Sequence, residues 1–318
     1  MSKLRTLLPV FFFAALGPLG AVNPAERLAG ESVASEEPVL SGDNQYVQED
    51  DLYAPARDGD SDLGEQVILR RQPTRAPLEG RANAFLFWSD NVSARSFDEE
   101  EGWYWGGSLS ARWKPRLASN LWLDTYGYQD AYFYDREGLD FQSTEFGLGL
   151  IRNLPGLSDL THFARYEFLY LHAENPTVDP ASAFSFTDDR YHRLRLGGFK
   201  TLYQRPGHIV SLSANIAWDF DASADADRRT QYAARLAYDK RLTNRLRAST
   251  FYRLAYRDFI NSSRNDWNQY AGIELAYTLS PWAQAHMSLL YGNNDSNLSL
   301  RDYDAWQAGL GVGVRGTF

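Results

Sequence analysis

The sequence predicts an all-β fold: a transmembrane antiparallel up-and-down β-barrel of about 12 strands, behind a disordered N-terminal segment. Three observations carry this. From residue 81 onward, runs with apolar side chains at every second position follow one another, and a strand sends alternate residues to opposite faces. The connections between these runs alternate between tight turns and longer polar loops. Mean hydropathy is −0.46, yet 14% of the residues are aromatic, with 19 Tyr and 9 Trp. A wall in which only alternate residues meet lipid, edged by amphipathic rings, has such a composition.

The chain divides into three parts. Residues 1–21 read as a signal peptide, with Lys3 and Arg5 ahead of the apolar run LLPVFFFAALGPL and the small residues Gly20 and Ala21 at its end. The run is too short to cross a bilayer as a helix, which takes about 20 apolar residues. Residues 22–80 carry 13 acidic side chains against five arginines, with Pro24, Pro38, Pro55, Pro73 and Pro77 spread through them. Low hydropathy with a net charge of −8 predicts an acidic disordered periplasmic segment. Within it, residues 58–62 (DGDSD) resemble the start of a calcium loop. Leu63 and Leu69 stand where that motif needs Gly and Glu, so a solvated acidic linker is the better reading. Residues 81–318, nearly neutral at −3, form the barrel.

Strands are predicted near 82–90, 102–114, 119–133, 142–152, 160–172, 190–202, 208–220, 230–241, 246–257, 267–279, 283–292 and 303–318. Alternation is clearest in the later ones. Val210, Leu212, Ala214, Ile216 and Trp218 oppose Ser211, Ser213, Asn215, Ala217 and Asp219. The third and fifth strands leave their faces open, and a one-residue slip would exchange them. Tight turns at 114–116, 153–156, 204–207, 242–244 and 280–281 close one rim. Longer loops at 91–101, 134–141, 173–189, 221–229, 258–266 and 293–302 close the other. Trp103, Trp105, Trp113, Trp122, Trp218, Trp267, Trp282 and Trp306 gather near strand ends, as interfacial belts would have them.

The last strand, residues 303–318, puts Trp306, Ala308, Leu310, Val312, Val314, Gly316 and Phe318 on one face and stops on the phenylalanine. This resembles the closing strand of Gram-negative outer-membrane β-barrels. The resemblance implies an outer-membrane location, an N-terminal segment in the periplasm, and recognition of Phe318, Val314, Val312 and Leu310 by the barrel assembly machinery. Gly316 departs from the aromatic usual in that family.

With the apolar rows on lipid, the opposite rows line the lumen with Arg112, Glu145, Glu167, Asp219, Asp239 and Glu274, and with an excess of arginine: Arg165, Arg193, Arg195, Arg235, Arg247, Arg253, Arg257 and Arg315. These charges either fill the interior as cross-strand ion pairs or form an electropositive path for anions. In architecture, small barrels with Arg-rich lumens look like channels for acidic oligosaccharides or exporters of anionic polysaccharide. The expected function is a passive channel, with anionic solutes or acidic saccharides as partners, in either direction. The rival is a non-conducting barrel whose acidic loops, such as 98–101, bind a surface partner. Residues 22–80 match the Arg-lined lumen in charge and could plug it; a flexible spacer is the alternative.

No enzyme is expected. His286 and Ser288 share the His-x-Ser spacing of outer-membrane phospholipase, also a twelve-stranded barrel, but Leu289 and Leu290 follow them and the register turns them inward. A nucleophile needs a positioned base and an orienting partner, and no third group is evident. His162, His172, His192 and His208 lack metal-ligand spacing, and the chain has no Cys. Neither a metal nor another cofactor is expected. The acidic balance gives no nucleic-acid patch, and the sequons at Asn91, Asn261 and Asn297 would be incidental in a bacterial outer-membrane protein.

Overall fold

The computed structural model describes residues 78–94, 99–136, 139–154, 160–174, 186–223 and 228–318. The expected signal peptide, the acidic segment up to residue 77 and the 58–62 motif lie outside these. The strands are β1 (Leu78–Ser89), β2 (Gly102–Trp113), the short β3 (Arg116–Ala118), β4 (Leu121–Tyr134), β5 (Phe141–Asn153), β6 (Leu160–Glu174) and β7 (Phe186–Arg205). They continue with β8 (His208–Ala222), β9 (Arg229–Arg241), β10 (Leu246–Phe259), β11 (Asn265–Ser280), β12 (Ala283–Ser296) and β13 (Tyr303–Thr317). Each long strand pairs antiparallel with its neighbours in sequence, β2 with β4 directly, and β1 pairs with β13 from Glu79↔Thr317 to Ser89↔Gln307. The sheet closes as a barrel of twelve long strands, with β3 an appendage paired to β4 at the rim. Closure leaves no unpaired edge, the condition for a sheet to cross a bilayer.

The strand order, the tight-turn rim and the inward rows agree with the sequence reading. Boundaries differ at the strand ends. β1 begins at Leu78, inside the segment assigned to 22–80, and β7 and β12 run four residues, and β6, β8, β10 and β11 two residues, further toward the long loops than the alternation does. The reason is physical: beyond the apolar band a strand needs no lipid-facing hydrophobe, so the hydropathy signal stops while the backbone ladder continues. The long loops are correspondingly shorter. Backbone bulges at His192/Arg193, Thr201/Tyr203 and Thr278/Ser280 take up the bend.

The outer wall is apolar: Leu109, Leu148, Leu196, Leu236, Ile273 and Met287 all project outward and are exposed. Tryptophans ring it at two levels. Trp103, Trp105, Trp218, Trp267 and Trp306 lie toward the long loops, and Trp113 and Trp282 toward the tight turns, all exposed rather than filling a core. Rings pair across strands there, Trp105 with Phe133 at 4.5 Å and Tyr256 with Trp267 at 4.9 Å between centroids. Leu310, Val312 and Val314 continue this wall on β13, and Phe318 ends it, 74% exposed. The Phe318 backbone exchanges hydrogen bonds with Leu78, N to O 2.8 Å and O from N 3.2 Å, so the chain's last residue zips onto the first strand. Deleting Phe318 is expected to leave the lumen unchanged and to lower outer-membrane yield severalfold, measured by heat-modifiable mobility of the folded barrel. A normal yield would remove the terminal aromatic from any role in assembly.

Candidate functional site: the lumen

Every arginine expected inside faces inward. So do Arg229 and Arg81, which belong to the same inward rows. The structure sorts them into distinct groups. Asp124, buried on β4, accepts Arg112 Nε at 2.6 Å and Nη2 at 2.7 Å, and Arg165 Nε at 2.7 Å. Glu167 on β6 accepts Arg195 Nε at 3.0 Å, and the Tyr126 hydroxyl, with its one proton, stands 2.5 Å from Glu145 and 3.2 Å from Glu167. Asp219 on β8 accepts Arg193 through Nε at 2.5 Å and Nη2 at 3.2 Å, and Arg229 stands 3.7 Å from its second oxygen. These bonds pair most of the buried charges on the β4–β8 arc, while Arg165 Nη2 and Asp130 Oδ2 are buried without a hydrogen bond.

The β9–β10 arc differs. Arg229, Arg257, Arg253, Arg235 and Arg247 run along it from the long-loop end to the tight-turn end. Arg257 donates to Gln231 at 3.2 Å and Asn268 at 3.4 Å, Arg253 donates to Asn268 at 3.3 Å, and Arg235 lies 4.6 Å above the Phe251 ring. Arg247 reaches Asp239 at 3.8 Å near the turn rim. Arg315 donates to Glu79 at 3.0 Å, and Glu79 also pairs with Arg81. Four arginine pairs stand directly opposite one another on inward rows: Arg235↔Arg253, Arg165↔Arg195, Arg81↔Arg315 and Arg241↔Arg247.

The two ends of the lumen are unlike. At the long-loop end, Val92 and Leu139 dip from their loops onto Tyr104, Tyr132, Phe141, Leu171 and Tyr191, an apolar cluster reaching from β2 to β8. The rings stack: Tyr132 on Phe141 at 4.5 Å, Tyr104 on Tyr134 at 5.1 Å. The 90–94 stretch is held down by Val92 N to Glu100 O at 2.8 Å and Asn91 Nδ2 to Asp304 O at 2.9 Å. Ala94, φ 50°, turns the backbone there. The rest of this mouth is polar, with Asp266, Asn268 and Asn294 buried and Arg264 bonded to Asp266 at 2.5 and 3.0 Å. Exposure grows along the axis. Arg257 is 0% and Arg253 2% exposed, whereas the side chains of Arg81 and Arg247 near the turns are 35% and 38% exposed. Among the described residues the lumen is more open toward the tight-turn rim, and the long-loop end is narrowed by the apolar cluster, beside a small cavity lined by Tyr104, Tyr134, Tyr270 and Tyr303.

The narrowed mouth was not anticipated from the sequence. Its signal was present, in the aromatic residues Tyr104, Tyr132, Phe141, Tyr191 and Tyr303 on inward rows at the long-loop strand ends. His286 and Ser288 do face the lumen, and Glu274 is the cross-strand partner of Ser288. Among the described residues no group of three His, Asp or Glu is placed to hold a metal ion.

No protein-family model matches the chain, and no curated protein matches it. Among solved structures it is similar to an outer-membrane channel from Pseudomonas putida F1, at 10% identity over 79% of this chain and 99% of that one, TM-score 0.50. It is also similar to the β domain of the Bordetella autotransporter BrkA (14% identity, 75% and 99% covered, TM-score 0.44) and to the KdgM porin (9%, 74% and 98%, TM-score 0.41). At such identities the likeness is one of fold. Closed strands, an apolar outer band edged by tryptophan and a charged interior give this chain the fold of the outer-membrane β-barrels.

Proposed function

We propose that the barrel is a passive outer-membrane channel whose lumen favours anionic solutes, acidic saccharides among them. The run of arginines along β9–β10 carries this reading. Arg235 and Arg253 stand directly opposite each other, with Arg257 further along the same inward row, so positive charge is concentrated along this arc, where an anionic solute is attracted. A row of such positions along the axis offers successive weak sites, which passage requires. Single-channel recording of the refolded protein in a planar bilayer tests this. Replacing Arg235, Arg253 and Arg257 by Gln is expected to lower the chloride-to-potassium permeability ratio about threefold. An unchanged ratio in an open lumen would show that the arginines only fill space.

The narrowed mouth favours a second reading, a non-conducting barrel that binds a surface partner through acidic loops such as 98–101. Permanent silence of a correctly folded barrel, with the mouth loosened as well as intact, would favour that one.

A further inference from the structure

The barrel's charge is separated along its axis. Its net of −3 conceals a basic rim and an acidic one. At the tight turns Arg116, Arg205, Lys240, Arg241 and Arg245 are exposed, directly outside the vestibule that Arg81, Arg112, Arg247 and Arg315 line. At the long loops Asp135, Asp221, Asp258, Asp295 and Asp304 are exposed. The vestibule's own charges are largely balanced: Glu79, Asp124 and Asp239 are bonded to its arginines, and Glu274 lies on the inward row of β11. The surplus of positive charge belongs to the exposed rim around it, at Arg116, Arg205, Lys240, Arg241 and Arg245.

The chain supplies an occupant. Residues 22–77 hold 12 acidic side chains against five arginines, and they lead directly into Leu78, whose backbone is bonded to Phe318 at this same rim. A segment of 56 residues tethered there reaches the vestibule floor easily, since about ten extended residues span about 33 Å. Tethering also keeps its effective concentration in the millimolar range. We propose that the acidic segment 22–77 docks in the vestibule and occupies it from the tight-turn side, its carboxylates facing the arginines of the rim and of β1, β2, β10 and β13. Docking by charges scattered along a sequence is weak and salt-sensitive, so the occupant can be displaced by another polyanion or by ionic strength. The inference does not depend on what crosses the lumen.

The chain has no Cys, so single cysteines report local access. In full-length refolded protein, Ser110→Cys sits on the inward row of β2 opposite Arg81, and Thr243→Cys sits in an exposed turn outside the vestibule. The reading is the rate of labelling by a charged, membrane-impermeant thiol reagent. We expect Ser110→Cys to react about fivefold faster when the 12 carboxylates of residues 22–77 are replaced by their amides, and faster at 1 M salt in the natural segment, with Thr243→Cys unchanged. Equal rates at Ser110→Cys in both backgrounds would overturn the proposal. So would equal protection of Thr243→Cys, which would mean the segment coats the rim without entering. Protection that follows the content of anionic lipid in the vesicles rather than the segment would overturn it too, by making the basic rim a lipid contact. Segment-dependent protection in a barrel that never conducts would uphold the docking and sink the channel reading.

Discussion

Replacing Asp219 by Asn is expected to destabilise the barrel by about 3–5 kcal/mol. Asp219 is buried, and two arginines depend on it: Arg193 through a two-pronged pair at 2.5 and 3.2 Å, and Arg229 at 3.7 Å. Asn keeps the shape and can accept one hydrogen bond, so the loss reports charge rather than packing. Two guanidinium groups left without their carboxylate in a water-poor interior bear a full desolvation cost. Urea unfolding in lipid, followed by tryptophan fluorescence, measures it. The double variant carrying Arg193→Gln as well is expected to regain part of the loss, because it removes one of the stranded charges. A loss below about 1 kcal/mol would mean that water reaches this level of the lumen and hydrates the arginines in place of Asp219.

Loosening the long-loop mouth is expected to raise channel opening about a hundredfold. Val92 and Leu139 are both buried in the cluster with Tyr104, Tyr132, Phe141 and Leu171. Withdrawing them into water costs about 1.5–3 kcal/mol each, and their replacement by Ser removes most of that from the opening equilibrium. A change of about 3 kcal/mol corresponds to about two powers of ten. Both residues are reached from loops rather than strands, so the strand ladder is untouched. Open probability in a planar bilayer is the measure. An apolar constriction resists ions by dewetting even where it is wide enough to pass them, so the polar replacement also acts without loop movement. No gain in opening, with the barrel folded, would place the block in the polar half of the mouth around Arg257, Asn268 and Asn294.

Most of the architecture was legible because lipid imposes a binary rule on every second residue. Leu212, Ile216 and Trp218 against Ser211, Ala217 and Asp219 could be read without any partner strand in view. The inward direction of the arginines followed from the same rule, and it holds for all eight singled out. What periodicity cannot express is depth and closure. Arg257 and Arg247 share one row of one strand, yet one is sealed and the other half open, because neighbouring strands and loops fill the two ends differently. Val92 and Leu139 lie in loops, where alternation says nothing. The pairing of Asp124 with both Arg112 and Arg165 depends on the stagger between three strands, which no single run of residues contains.

The inner face of β13 has a consequence for how the cylinder comes to be shut. Gly309, Gly311 and Gly313 occupy it in sequence, and a side chain at any of them would strike Phe87 and the Leu86 carbonyl, His286, or Asn83. The middle of the final strand thus has nothing to tuck inside, and its bulkier inward residues, Tyr303, Gln307 and Arg315, stand toward its two ends. Phe85, Phe87 and His286 can already be in place when it slides under them, and only its greasy outer edge must be kept from going astray. A wall built in this order closes like a drawer rather than a jigsaw: the last piece is smooth along the middle of the side that has to pass the others.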